Sequence, residues 1–358
     1  MKICLLSGHE GSLSWQEMIN HFSQNFKDFY IVKGLSDKNF RKSGKINRFL
    51  NRVYIFIFYP IKILILLKKI QKFEKIIVIS SPFYLPLLVS ILIERKKIII
   101  FQNDIYPEGL KSIPFFRNKI FSNYFRKISD KYYSECLNIF ISETLKMQRN
   151  YPNSKVLYTP SVKRKKNYSL LKTKNVSLGY LGTLGYYHFS EGFLKMLENS
   201  DFEIPLEIIF RVSGAKSNSF IEKSKKIKNK KNLKEFNISG SLNDYEFQKT
   251  MNILHYGLVL MDKNSSKINF PSKFPGHLSF GHPVVLISDQ KNEIHDMIKE
   301  NNVGISINIK ENNLNALNDF FKENNYKRQS ENSLKLFEMK FSSKKVSESL
   351  TEIISKYD

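Results

Sequence analysis

The sequence predicts an α/β protein built as two doubly wound, Rossmann-like domains. Three observations carry that prediction. The chain has 358 residues, which is too long for one ordinary core and suits two domains of similar size. Short apolar runs alternate with segments of helical period in both halves. Most of these runs stop at a Gly, Ser, Asn or Pro cluster, as buried parallel strands do at their carboxyl ends.

The first half starts with a strand, Lys2 to Ser7, that runs into the Gly8 turn. Its apolar run breaks too early for a signal peptide. Trp15, Met18, Ile19 and Phe22 share one face of a helix over Trp15 to Phe26. Asp28 to Lys33 is the next strand. Lys75 to Ser80 ends at Ser-Ser-Pro, Phe83 to Glu94 is helical, and Lys97 to Phe101 ends at Gln102-Asn103-Asp104. A helical stretch leads to strands at Leu137 to Ser142 and Lys155 to Tyr158. Lys163 to Asn167 is polar and charged, so residues 161–176 are the predicted linker.

The second half restarts the pattern. Ser177 to Leu181 is a strand ending at Gly182-Thr183-Leu184-Gly185, and Phe189 to Leu197 is the helix after it. Further strands are Leu206 to Ser213, Phe236 to Ser239, Tyr256 to Met261 and Val284 to Ile287, with Gly304 to Ile307 at the sheet edge. Leu334 to Tyr357 is helical and amphipathic. The expected division is an N-terminal domain over 1–160, a C-terminal domain over 177–335, and a last helical region over 336–358. Two such sheets joined by a linker predict a cleft, with ligands held by the loops at the carboxyl ends of the strands.

Hydrophobic residues make up 42% and charged residues 25%, a globular composition. The two cysteines, Cys4 and Cys136, offer neither a disulfide framework nor metal-ligand spacing, which fits a reducing cytoplasm. A formal net charge of +24 attracts polyanions such as anionic lipid, phosphorylated substrates or nucleic acid. No nucleic-acid module is recognisable, so nucleic acid is not an expected partner. The apolar run Val53 to Leu67 is shorter than the about 20 residues a membrane span needs, and it contains Pro60 and Lys62. It reads either as a buried helix or as an interfacial one, with Arg48, Arg52, Lys68, Lys69 and Lys72 as contacts to an anionic membrane.

Chemistry concentrates in a few segments. Gly182 to His188 follows a strand and precedes a helix, a place where glycines admit an anionic group to the backbone. In Gly281-His282-Pro283, the glycine and proline are explained by helix termination. Lys273 is a cation at a predicted helix start, where the helix dipole disfavours it, and an adjacent diphosphate resolves the conflict.

Residues 177–357 resemble the nucleotide-binding domain of family 4-type glycosyltransferases of the GT-B fold. Three segments carry the resemblance: Gly-Thr-Leu-Gly-Tyr-Tyr-His at 182–188, Ile-Ser-Gly-Ser-Leu at 238–242, and Pro-Ser-Lys…Gly-His-Pro-Val-Val at 271–285. Glu300-Asn301-Asn302-Val303-Gly304 also resembles the family's next segment. Asp104-Ile105-Tyr106-Pro107-Glu108 is a looser match in the first half. The resemblance implies transfer of a sugar from a nucleotide diphosphate sugar to a glycan or polyprenyl-linked acceptor. It further implies retention, no bound metal or other cofactor, and a place in surface polysaccharide assembly on the inner face of the membrane.

It assigns Gly182, Thr183, Gly185, His188, Gly214, Lys216, Phe270, Ser272 and Lys273 to the donor, and Gly8, Gly11, Ser12 and Glu108 to the acceptor side. Asp104 and His9 are the candidate catalytic bases. Two departures stand out. The family commonly has a glutamate where this chain has Gly276, and an acidic residue where it has Ile268. These motivate an alternative, a catalytically inactive scaffold of a glycan-assembly complex. A nucleotide-sugar epimerase shares the same architecture.

Overall fold

The computed structural model describes residues 1–36, 45–110, 118–164, 175–184, 188–214, 216–225, 227, 231–240, 242–262, 270–289, 292–323 and 325–357, with only the backbone of Lys45, Arg48 and Leu110. Residues 165–174 of the expected linker therefore lie outside the described residues. The chain divides into two compact units, one formed by 1–160 with 343–358 and the other by 161–342.

The first unit carries a six-stranded parallel sheet in the order β2-β1-β3-β4-β5-β6. Its strands are β1 (Lys2–His9), β2 (Asp28–Leu35), β3 (Lys75–Ile79), β4 (Ile98–Gln102), β5 (Leu137–Phe140) and β6 (Ser154–Val156). β4 and β5 are buried at every position, as strands covered on both faces must be. Helix α1 (Leu13–Ser23) buries Met18 and Phe22, two of the four residues expected on its apolar face.

The apolar run after β2 is one continuous helical segment: α2 (Lys45–Val53), a π-helical turn (Tyr54–Phe58) and α3 (Tyr59–Ile70). Its apolar side chains divide between a buried and an exposed side. Tyr59, Ile63 and Ile70 are buried, while Phe56, Ile57, Phe58, Ile61, Leu64 and Ile65 are exposed. No described helix is long and apolar enough to cross a membrane. Helices α4 (Leu85–Leu92), α5 (Lys119–Tyr133) and α6 (Glu143–Met147) complete the connections between the later strands.

The second unit has a six-stranded parallel sheet in the order β12-β11-β10-β7-β8-β9. The strands are β7 (Val176–Thr183), β8 (Leu206–Ser213), β9 (Leu233–Ser239), β10 (Tyr256–Leu260), β11 (Val284–Ser288) and β12 (Gly304–Asn308). Counted within the unit, this is the doubly wound order in which the chain reverses direction between β7 and β10. The helices between strands are α7 (Ser190–Glu198), α8 (Ser217–Ser224), α9 (Asp244–Ile253), α10 (Lys273–Leu278) and α11 (Glu293–Asn301). β12 occupies an edge, as its short sequence run predicts. β9 starts earlier than its apolar residues announce, because Lys234 and Glu235 face solvent on the opposite edge.

After α12 (Ala316–Lys322), the closing region is two helices, α13 (Tyr326–Lys340) and α14 (Ser343–Ser355). At the break, Phe341 is fully buried, its carbonyl accepts from Ser161 N at 2.8 Å, and Ser342 pairs with Ser161 in an isolated bridge. Helix α14 belongs to the first unit and packs against α1.

Candidate active site

In a doubly wound sheet, ligands bind beyond the carboxyl ends of the strands flanking the reversal. In the second unit those are β7 and β10. The next-to-last residue of β7 is Gly182, whose φ of +126° suits glycine. A Cβ there would lie 3.2 Å from Lys273 Cε, so a side chain would crowd the lysine. The chain leaving β10 returns at α10, whose first residue is Lys273.

Lys273 Nζ donates to the Thr183 carbonyl at 3.2 Å and lies 4.8 Å from the centre of the Tyr180 ring. The Tyr180 hydroxyl donates to the same carbonyl at 2.9 Å, which fixes the turn. Among the described residues, no carboxylate lies within ion-pair distance of Lys273. Its side chain keeps some contact with solvent but is set among densely packed neighbours. That surrounding removes water from the ammonium and lowers its pKa to about 8. His188 approaches the Tyr180 ring edge-on, with ring centroids 6.1 Å apart.

The loop after β8 is tied to the loop after β7. Gly214 has φ +101°, and a Cβ would meet Thr183 Cγ2 at 2.7 Å and the Leu184 carbonyl oxygen at 2.8 Å. Lys216 N donates to that carbonyl at 3.2 Å. Gly182, Thr183, His188, Gly214, Lys216 and Lys273 are thus gathered around one set of strand ends. Gly185 and Ile268 lie outside the described residues. Ser272 is exposed beside Lys273. Phe270 is buried, stacked on Phe341 and edge-on to Phe274, so its ring serves packing. Gly276, one turn along α10, has nothing within 4 Å of the position a Cβ would take.

In the first unit the sheet order reverses between β1 and β3, and a cavity of about 120 Å3 opens at that end. His9, Glu10, Gly11, Gln16, Lys33 and Asn103 contribute its polar lining, and Trp15 an aromatic wall. Glu10 and Lys33 form an ion pair at 2.9 Å. His9 Nδ1 accepts from Gly11 N at 3.1 Å. In the neutral ring this places the proton on Nε2, the state that donates there. Gly8 is consumed by packing, since a Cβ would strike Pro82 Cδ at 2.2 Å. Ser12 is exposed before α1 and its hydroxyl is 2.9 Å from that of Ser14.

Asp104 follows β4, two residues beyond Gln102. Burial raises its carboxyl pKa above the ordinary range, and the Tyr106 hydroxyl, donating at 3.4 Å, partly offsets this. The loop is anchored by a network with no signature in the sequence. Arg149, almost wholly buried, bonds Glu108 at 2.6 Å, Asp130 at 3.3 Å and the Tyr106 carbonyl. Arg126 reaches Glu108 at 3.3 Å, and the Tyr151 hydroxyl donates to Asp130 at 2.6 Å. Glu108 therefore spends its charge holding the loop. Among the described residues, no three His, Cys, Asp or Glu side chains group as a metal site would.

No family model and no curated protein matches the chain by sequence. Solved structures do match in shape. The Anabaena protein HepE, solved in complex with UDP and glucose, is similar at TM-score 0.66 and 11% identity, over 99% of this chain and 100% of its own. Lipopolysaccharide outer core galactosyltransferase WaaB aligns at TM-score 0.61 and 14% identity, over 99% of each chain. Sucrose-phosphate synthase from Thermosynechococcus elongatus aligns at TM-score 0.68 and 7% identity, again over 99% of each. Together with the two six-stranded parallel sheets, these likenesses show that the chain has the two-domain, Rossmann-like GT-B fold.

Proposed function

We propose that the chain is a glycosyltransferase that moves a sugar from a nucleotide diphosphate sugar to a glycan or polyprenyl-linked acceptor. The observation that carries the reading is Lys273. It is a partly desolvated ammonium, without a carboxylate partner among the described residues, held over a glycine turn at the reversal point of the second sheet. A diphosphate is the ligand chemistry that suits it, with the Gly182 and Gly214 loops admitting the phosphates. UDP, the nucleotide bound to the Anabaena neighbour, is the first to test.

In this reading Asp104 is the base that accepts the acceptor's hydroxyl proton, and His9 lines the acceptor pocket. The cavity beside Trp15, Gln16 and Asn103 receives part of the acceptor. Lys273 supplies positive charge at the phosphates, so turnover is expected to proceed without added metal. The sugar is transferred with retention, the acceptor oxygen bonding to C1 on the face from which the nucleoside diphosphate departs while its proton passes to Asp104, and the protein works peripherally on the cytoplasmic face of the membrane in polysaccharide assembly. The test is incubation with a panel of nucleotide sugars and acceptors, reading nucleotide release and the anomeric configuration of the product. Folded protein that binds no nucleotide would sink the proposal.

Gly276 favours one second reading, an inactive scaffold, because the carboxylate common at this position is missing. Nucleotide binding without turnover on any sugar in the panel would select it.

A further inference from the structure

At the opposite end of the first sheet from His9 and Asp104, a groove of about 530 Å3 opens beside the starts of β1 and β2. Lys2, Lys27, Lys69 and Lys72 line it. Its wall is an aromatic pair, Tyr30 and Phe73, stacked with centroids 5.8 Å apart and planes 13° apart. Lys69 Nζ lies 3.8 Å from the centre of the Tyr30 ring. Asp28 offsets Lys2 at 3.5 Å, and the remaining three lysines have no carboxylate partner among the described residues. Three ammonium groups converging on an open groove repel one another, and an anion seated there relieves the repulsion.

The neighbouring surface says which anion. Ile61, Ile65, Lys68 and Lys72 follow helical spacing along α3 and the turn after it, so one face passes from exposed isoleucine through Lys68 to Lys72 of the groove. Ile65 is 76% exposed. Upstream, the π-helical turn leaves Phe56, Ile57 and Phe58 all exposed, and α2 adds Ile46, Phe49 and Leu50. Arg52 is exposed among them. A soluble phosphate would have no use for this apolar strip, whereas a lipid has acyl chains for the strip and a phosphate for the groove.

We infer that the groove formed by Lys2, Lys27, Lys69 and Lys72 is a recognition site for the phosphate of an anionic lipid headgroup, seated while the strip along α2 and α3 enters the bilayer interface. The inference rests on the peripheral placement proposed above and adds a defined lipid site to it. The aromatic pair forms a rigid wall, and Tyr30 holds Lys69 in place through its ring face.

Flotation with vesicles of equal parts phosphatidylcholine and phosphatidylglycerol, compared with pure phosphatidylcholine, tests it. The unaltered protein is expected to bind the anionic vesicles preferentially. Replacing Lys27, Lys69 and Lys72 with Gln together is expected to weaken that binding about a hundred-fold, at about five-fold per lysine. A control carrying Lys234→Gln, Lys249→Gln and Lys335→Gln removes the same charge from the second unit and is expected to change binding less than about three-fold. Equal losses in both triples would mean diffuse attraction and overturn the site. Release by inorganic phosphate matched to the lipid phosphate would assign the groove to a soluble anion and overturn the lipid. If Ile61→Ser with Ile65→Ser abolishes binding while the groove triple does not, the site fails but the peripheral reading stands. No vesicle binding by the unaltered protein would sink both. Nucleotide release without lipid is expected to be the same in the groove triple, which separates this result from failure of the transferase reading.

Discussion

Lys273→Met is the substitution that bears hardest on the proposed donor site. It keeps an unbranched stem as far as Cε and removes the ammonium that lies over the Gly182 turn. A hydrogen bond to a charged group contributes about 1.5–3 kcal/mol. Lys273 still meets solvent on one side, so about 1–2 kcal/mol is a fitting range, or about 5- to 30-fold in Kd. The assay is calorimetric titration of UDP at pH 7. The pH dependence gives a second reading of the same group. Burial lowers its pKa to about 8, so the ammonium is about nine-tenths protonated at pH 7 and about one-tenth at pH 9. A bound diphosphate raises that pKa, so binding takes up protons near pH 8, and affinity falls as pH rises above it. The methionine variant is expected to lose this pH dependence. Because burial disfavours the charge in the empty site, the variant is also expected to melt no earlier than the unaltered protein. A folded variant whose Kd for UDP stays within about two-fold at pH 7 would refute the assignment of Lys273 to the diphosphate.

Gly276→Glu has open space for its side chain, so it is expected to fold and to tighten UDP several-fold in the same titration, whereas Gly276→Ala leaves the affinity near its starting value. Asp104→Asn is expected to abolish sugar transfer and spare nucleotide binding. In the unaltered enzyme, transfer is lost as pH falls through the Asp104 pKa, which burial places above the ordinary carboxylate range, and a pH–rate profile reads this limb. That raised pKa also means the ionised carboxylate costs stability near neutral pH, so the asparagine variant is expected to melt later. Arg149→Met leaves Glu108 and Asp130 only Arg126 and the Tyr151 hydroxyl, and is expected to destabilise the first unit by about 1–3 kcal/mol, read by chemical denaturation.

The strands were the most legible part of the sequence. Central strands such as Lys75–Ile79 and Val284–Ser288 are unbroken apolar runs because both faces are covered. The edge strand β9 was half hidden, since Lys234 and Glu235 carry no strand period. Lys273 was legible as a cation in an awkward place, a local feature. The anchor of the Asp104 loop was not. Arg149 and Glu108 are far apart in sequence, and charge pairing at that range leaves no periodic trace. The groove at Lys2 and Lys27 was hidden for the same reason, because sheet pairing brings the starts of β1 and β2 beside the end of α3. The break between α13 and α14 falls at Phe341, an apolar residue that continues the helical pattern and so leaves no mark of the break in the sequence.

The first unit is assembled from two stretches of chain, and this orders events during synthesis. Residues 1–160 leave the ribosome long before α14, whose Val346, Leu350 and Ile354 are buried in the unit that also holds Met18 and Phe22 of α1. Until α14 is made, the early-made half has an uncovered helix face, while residues 161–342 can already close on themselves. The half made first is therefore the half completed last, and it is the one open to chaperones and proteases in the interval.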